Sequence, residues 1–267
     1  MFTVMAALLL AKASMSASEK CLPIPPPKHG GVYVVAHRGV HDGIAENTLA
    51  AYRKGIELGV DYVEIDTRTT KDGRIVSVHN DTIDSYVPGK KGRIRDFTFD
   101  ELRAMDIGSR VGPQWKDEKI PELGEILDTC KGKVGIYIDL KDAAIPQVAA
   151  ELKKRNMEHE ALWYISGLCV CSLHKECPEC IEMPDPGIEM LLPALLATVS
   201  PRVVAGTWKN CSKSFAEKCH EAHAILIVDD GGPETWQKLV DWGTDGIQTN
   251  EVAALIKFLD ERSAKQK

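Results

Sequence analysis

Glu64 and Asp66 stand two residues apart in the apolar run "YVEIDT" at 62–67. On a strand, that spacing puts both side chains on one face. Two carboxylates so close repel unless one is protonated or a cation lies between them, and Asp139 in the later run "VGIYIDL" can add a third oxygen donor. An all-oxygen set selects Mg2+, Ca2+ or Mn2+ over zinc. A competing reading makes the same acids plain ion-pair partners of Arg38, Arg68 and Lys141. His37 and His79 each close an apolar run, and imidazoles that titrate near neutrality suit an acid and base pair. Arg38 and Lys141 bring positive charge, the Arg with a planar fork that matches two phosphate oxygens. Together these groups point to metal-assisted phosphodiester hydrolysis. His41, His159, His174, His220 and His223 read as structural.

The elements that must position these groups follow from the alternation of short β-branched runs with helix-length amphipathic segments, the pattern of parallel strands joined by crossover helices. Strands are expected at 32–37, 62–67, 75–80, 134–140, 162–166, 202–208, 224–229 and 246–249. Helices are expected at 48–58, 99–105, 122–130, 144–156, 188–199, 212–222, 233–242 and 251–263. Eight such units predict an α/β fold, a (β/α)8 barrel, in which functional groups sit at the C-terminal ends of the strands. His37-Arg38, Glu64, Asp66, His79, Asp139, Lys141 and Trp208 all fall there. Residues 81–121, with "PGKKGR" and "VGPQW", form a turn-rich insertion after the third strand rather than a second domain.

With 267 residues and 44% apolar composition, the chain can bury one large core. A net charge of −6 argues against a nucleic-acid groove or an anionic membrane surface. Residues 1–20 carry an apolar run followed by small residues and are expected to be a signal peptide that directs export to the periplasm or the extracellular space. Residues 21–31 form a Pro-rich spacer, 32–263 the barrel, and no stretch beyond the leader is long and apolar enough for a membrane helix. In an exported chain, eight cysteines suggest disulfides. Two are expected within "CVCSLHKECPEC" among Cys169, Cys171, Cys177 and Cys180, with zinc as the alternative use of that cluster. Cys211–Cys219 and Cys21–Cys130 are the other candidate pairs.

The chain resembles the glycerophosphodiester phosphodiesterase family. "AHRG" at 36–39, "ENT" at 46–48, "GVDYVEIDTRTTKDGRIVSVHND" at 59–81, "FTFDELRAMDIG" at 97–108, "IPELGEIL" at 120–127 and "DGIQTN" at 245–250 follow that family's order. The resemblance implies a barrel that uses Ca2+ or Mg2+ to cleave a small-molecule glycerophosphodiester into glycerol phosphate and an alcohol. It implies His37 and His79 as acid and base, Glu64, Asp66 and Asp139 as metal ligands, and Arg38 and Lys141 on the phosphate. Trp208 either lines the alcohol side or is a buried barrel residue. Asn47 is expected to cap the following helix, with Glu46 beside it in a structural role. Three departures stand out: Asp139 where the family commonly has Glu, His79-Asn80-Asp81 for the usual His-Asp pair, and "DSYV" at 84–87 where Arg-Thr-Thr is common. Two other readings are a lysophospholipase D or cyclising phospholipase of the same barrel type, and a non-catalytic phosphodiester-binding module.

Overall fold

The first barrel strand, β1 (Tyr33–Ala36), is buried at all four residues, as expected where a parallel strand is covered on both faces. Residues 24–266 are described by a computed structural model. The leader, Cys21 and the start of the spacer lie outside the described residues. The remaining strands are β2 (Tyr62–Thr69), β3 (Ile75–Ser77), β4 (Gly135–Leu140), β5 (Ala161–Ile165), β6 (Ile181–Pro184), β7 (Val203–Thr207), β8 (Ile225–Asp229) and β9 (Gly246–Thr249). Eight of them run parallel in the order β6-β5-β4-β2-β1-β9-β8-β7, a nearly closed barrel.

The helices are α1 (Leu49–Leu58), α2 (Phe99–Arg103), α3 (Leu123–Cys130), α4 (Ile145–Lys153), α5 (Val170–Glu176), α6 (Leu192–Val199), α7 (Lys213–Glu221), α8 (Pro233–Trp242) and α9 (Val252–Gln266). Those that follow the barrel strands form the outer layer. The strand period of two sorts the core. Tyr33, Val35, Tyr62, Tyr137, Leu162, Met183, Ala205 and Ile227 fill the barrel interior. Their neighbours Val34, Val63, Ile136, Ile138, Val204, Leu226 and Ile247 pack against the helices. At ~25 cal/mol per Å² of apolar surface buried, this two-sided burial is the main term favouring the fold. Residues that continue the inward parity past the strand ends point into the mouth.

The expected strand count holds, but its membership changes. Residues 75–80 were expected to form the third barrel strand; instead β3 is a short antiparallel partner of β2, with Thr67 opposite Ser77 and Thr69 opposite Ile75. The fifth barrel strand, β6, lies in the stretch read as the fifth strand-to-helix loop. "IEMP" hides it by being four residues long, carrying a charged Glu182 and ending on proline. The insertion therefore follows a hairpin on the rim. It packs around its own cluster of Val78, Ile83, Tyr86, Ile94, Leu102 and Ile107, and Trp115 Nε1 donates to the Gly43 carbonyl at 2.5 Å, pinning it beside the β1–α1 loop.

The opposite end of the barrel is covered by the chain entering β1. Tyr33 donates its hydroxyl to the Pro25 carbonyl at 2.8 Å, and the Lys28 amide donates to Asp61 Oδ1 at 3.0 Å.

The cysteines differ from expectation. Cys177 and Cys180 are bonded to each other, whereas Cys169, Cys171, Cys211 and Cys219 are free. α5 separates Cys169 from Cys177, and one disulfide already uses half of the candidate zinc set. The Cys21–Cys130 pairing falls outside the described residues. Among the described residues, no helix is long and apolar enough to cross a membrane.

Candidate active site

Glu64, Asp66 and Asp139 each place a carboxylate oxygen within 4.8 Å of the other two. Both segments supplying them are barrel strands in register, with Asp66 directly beside Asp139. Burial pushes Glu64 far above the ordinary carboxylate range, with Asp66 and Asp139 adding to the effect. Asp139 is also raised by burial, against the pull of Lys141. Asp66 Oδ1 is buried without a hydrogen bond, although Lys141 Nζ stands 3.2 Å away. Lys141 Nζ donates to Asp139 Oδ2 at 2.5 Å. Burial works against the charge on Lys141, but Asp66 and Asp139 outweigh it and raise its pKa. Lys141 and the Arg38 guanidinium, which Glu46 shares, do not neutralise three converging carboxylates, and an orphaned oxygen among them fits a hard divalent cation.

The turn after β1 holds the second strand's acids from the other side. The Arg38 backbone amide donates to Glu64 Oε2 at 2.6 Å, its Nη1 to Glu46 Oε1 at 3.2 Å, and its Nε lies 3.9 Å from Asp66 Oδ2. To do this Arg38 adopts a left-handed φ of 54°, and Asn47 does the same at 55°. A Cβ on Gly39 would come within 2.9 Å of the Ala51 backbone, so only glycine lets α1 approach this turn. Asn47 does not cap α1; Thr48 does, accepting from the Ala51 amide. Freed of that task, Asn47 Nδ2 donates to Asp66 Oδ2 at 2.7 Å, while its Oδ1 accepts from Tyr52 (3.0 Å) and Ser77 (2.7 Å). This buried network fixes the orientation of Asp66.

His37 Nδ1 lies 2.8 Å from Asn250 Oδ1. Burial, reinforced by the Arg38 charge, lowers His37 to about 4, so the ring is neutral at physiological pH. His79 stands on the loop after the β2–β3 hairpin, not at the end of a barrel strand, with Nδ1 2.9 Å from Asn80 Oδ1. Arg68 Nη2 and Nε hold its carbonyl at 2.6 and 3.0 Å. His79 is thus held on the rim by the β2 residue Arg68, two positions after Asp66.

Residues 37–168 match the glycerophosphoryl diester phosphodiesterase family. Over this stretch the chain belongs to that family. A Bacillus subtilis relative is 39% identical over 110 residues, 41% of this chain and 45% of its own length. The chain thus spans under half the length of that relative. A glycerophosphodiester phosphodiesterase of Caldanaerobacter subterraneus is 26% identical over 245 residues, 85% of this chain and 97% of its own. An Oleispira antarctica phosphodiesterase, solved with its product sn-glycerol-3-phosphate, has the same fold at a TM-score of 0.74 and 20% identity, covering 87% of this chain and 96% of its own.

Within the phosphodiesterase family frame, the mouth gathers Arg38, His37, Glu64, Asp66, His79, Asp139 and Lys141. It does not gather Trp208. Val203 and Ala205 face the interior, which carries Thr207 to the mouth and turns Trp208 toward the helices, where it stacks on Trp242 at 5.4 Å with Lys238 over both rings. Of the acids' expected ion-pair partners, Arg38 and Lys141 face Asp66, but Arg68 pairs with Asp142 at 3.1 Å. His41, set aside as structural, places Nε2 2.9 Å from the same Asn250 oxygen as His37. Glu46 accepts from both Arg38 and Tyr86. Sequence reading also missed Asn250, Asp229 and Gln248. Asp229 had a usable signal, an acid ending a strand-like run, and Gln248 and Asn250 stand in the "DGIQTN" motif, which marks the segment without saying what either side chain faces.

Proposed function

We propose that this protein hydrolyses glycerophosphodiesters to glycerol phosphate and an alcohol, with Ca2+ or Mg2+ held by Glu64, Asp66 and Asp139. The observation that carries the reading is the convergence of three acidic oxygens within 4.8 Å, flanked by Arg38 and Lys141 and by the neutral ring of His37. A divalent ion there supplies Lewis-acid charge against the phosphoryl oxygens. Arg38 and Lys141 bind and orient the phosphate and offset the charge that develops on it. His37, its Nδ1 turned to Asn250, takes the proton of the attacking glycerol hydroxyl at Nε2. His79 delivers a proton to the departing alcohol oxygen, and the roles reverse when water opens the cyclic phosphate. The product named for the Oleispira antarctica protein supports the substrate class. A non-catalytic module would need no acid and base pair, which weighs against that alternative.

The deciding experiment is a panel of glycerophosphocholine, glycerophosphoethanolamine and glycerophosphoglycerol assayed with and without added metal. Hydrolysis that yields glycerol phosphate and depends on the ion supports the reading. No turnover of any diester sinks it.

A second reading, a lysophospholipase D, draws on one feature. Leu168, Ile188, Met190 and Leu191 are exposed on the loops that follow β5 and β6, on the same rim as the candidate site. Such side chains suit an acyl chain. Release of choline from lysophosphatidylcholine faster than from glycerophosphocholine favours this reading.

We also infer export, on the leader-like residues 1–20 and on the Cys177–Cys180 bond, which fits an oxidising compartment. Amino-terminal sequencing of the protein made in a secreting host checks it: an intact Met1 on cell-retained protein contradicts export.

A further inference from the structure

The mouth has a second polar side, across His37 from the three carboxylates. Asp229 ends β8 two residues after the interior-facing Ile227, so it points inward. Gln248 is its direct partner on β9. A Cβ on Gly246 would meet Ile227 and Tyr33, both interior residues, so Gln248, two residues on, faces the same way. Gln248 is only 7% exposed, and its Oε1 is buried with no hydrogen-bond partner. Among the described residues, nothing donates to the Asp229 carboxylate, and burial pushes it up to about 6, with Asp230 adding to the rise and the Arg38 charge opposing it. Asp230 is already engaged, accepting from the Gly232 amide at 3.2 Å and from Trp236 Nε1 at 2.5 Å. Tyr137 and Tyr164 pack with ring centroids 6.0 Å apart and feel the charge of Asp139 ahead of that of Asp229, so this aromatic pair lies between the two sides.

Buried acceptors left bare are costly, so their arrangement points to a donor. Of the phosphate's cations, Lys141 contacts Asp66 and Asp139, and Arg38, whose charge also reaches Asp229, makes its contacts to Glu46 and Asp66. The mouth is therefore polarised, cationic toward one end of a substrate and acceptor-lined toward the other. Three headgroup chemistries can be compared. Hydroxyls of a diol satisfy Asp229 and Gln248 as donors but leave the carboxylate with no cation in contact. A quaternary ammonium compensates the charge but has no N–H for Gln248 Oε1. A primary ammonium does both, with three donors.

Resting on the phosphodiesterase reading above, we propose that Asp229 and Gln248 form a headgroup subsite for a primary ammonium, so that amino-alcohol diesters of the ethanolamine type are the favoured substrates. The test compares kcat/KM for glycerophosphoethanolamine, glycerophosphocholine and glycerophosphoglycerol in the unmodified enzyme, Asp229→Asn and Gln248→Leu. Asp229→Asn is expected to lower the ethanolamine-to-glycerol ratio about tenfold or more, the size of one charge-assisted hydrogen bond. Gln248→Leu is expected to lower the ethanolamine-to-choline ratio. Equal losses on all three substrates would assign these residues to the glycerol half and overturn the proposal, as would unmoved ratios. Calorimetric titration of the unmodified chain and Asp229→Asn with phosphoethanolamine separates this idea from the reading beneath it. Weaker binding to Asp229→Asn supports the subsite even if no diester is hydrolysed; equal binding sinks it.

Discussion

Asn250 Oδ1 stands 2.8 Å from His37 Nδ1 and 2.9 Å from His41 Nε2. An amide oxygen only accepts, so both ring nitrogens donate to it and His37 keeps a bare Nε2 at the mouth. With His37 lowered to about 4, the ring is a base above that pH and loses this role as acid protonates it. Asn250→Asp puts a carboxylate at Nδ1, favours the imidazolium and should move the acid limb of kcat/KM to higher pH. His37→Ala and His79→Ala should each lower kcat by ~10² or more. A pH-rate profile of Asn250→Asp coincident with that of the unmodified enzyme would remove Asn250 from the positioning of His37.

Chelation tests the acidic cluster. Protein treated with EDTA should lose diester hydrolysis and regain it with Ca2+ or Mg2+. Asp66→Asn, which weakens the most buried of the three ligands, should raise the metal concentration needed for half-recovery about tenfold or more. Turnover that persists unchanged after chelation contradicts the assignment of Glu64, Asp66 and Asp139.

Asn47 joins Asp66, Tyr52 and Ser77 in one buried network and holds a left-handed backbone. Asn47→Ala strands three polar groups and keeps the backbone strain, so it should cost about 2–4 kcal/mol. Chemical denaturation reads that loss as a lower midpoint at unchanged slope. A loss below about 0.5 kcal/mol would mean that water replaces the amide without difficulty.

Asp229 makes a pH-dependent contribution of opposite sign to a paired acid. Its pKa is raised to about 6 from 3.8, so the folded state holds the proton more tightly than the unfolded chain. Stability is therefore favoured below 3.8 and falls as pH rises through 6. Asp229→Asn removes that dependence. It should stabilise the protein by about 1–2 kcal/mol at pH near 8, after allowance for the part of the side chain that meets solvent, and the gain should vanish near pH 4. Thermal melts of both proteins across that range decide it; a variant less stable at high pH points to an undetected partner for the carboxylate.

Thiol labelling separates the cysteines. Cys171 is exposed and free, whereas burial raises the buried Cys211 and Cys219 to about 12. Native protein should modify Cys171 within minutes and Cys211 and Cys219 only on unfolding. Mass mapping that finds Cys211 joined to Cys219 would instead restore the pairing expected from composition alone.

The alternation of buried strands and amphipathic helices, the parity that sets Glu64 and Asp66 on one face, and the polar ends of apolar runs are local properties of the chain. They were legible without a structure because each depends on residues a few positions apart. The family motifs were legible for the same reason. What tertiary structure alone decided was pairing. Residues 75–77 turn back on β2 because Ser77 closes the Asn47–Tyr52 network, whereas the modest "IEMP" completes the barrel because β5 offers it an open edge. Asn47 looked like a cap until Thr48 took that bond, and of the two places open to Trp208, the alcohol side or a packed barrel position, the register of β7 gives it a stack on Trp242. Asn250 meets His37 from 213 positions away, a contact that no local pattern encodes. Short-range periodicity fixes which way a side chain points relative to its neighbours, but closure of the sheet, a sum over long-range pairings, determines what it then faces.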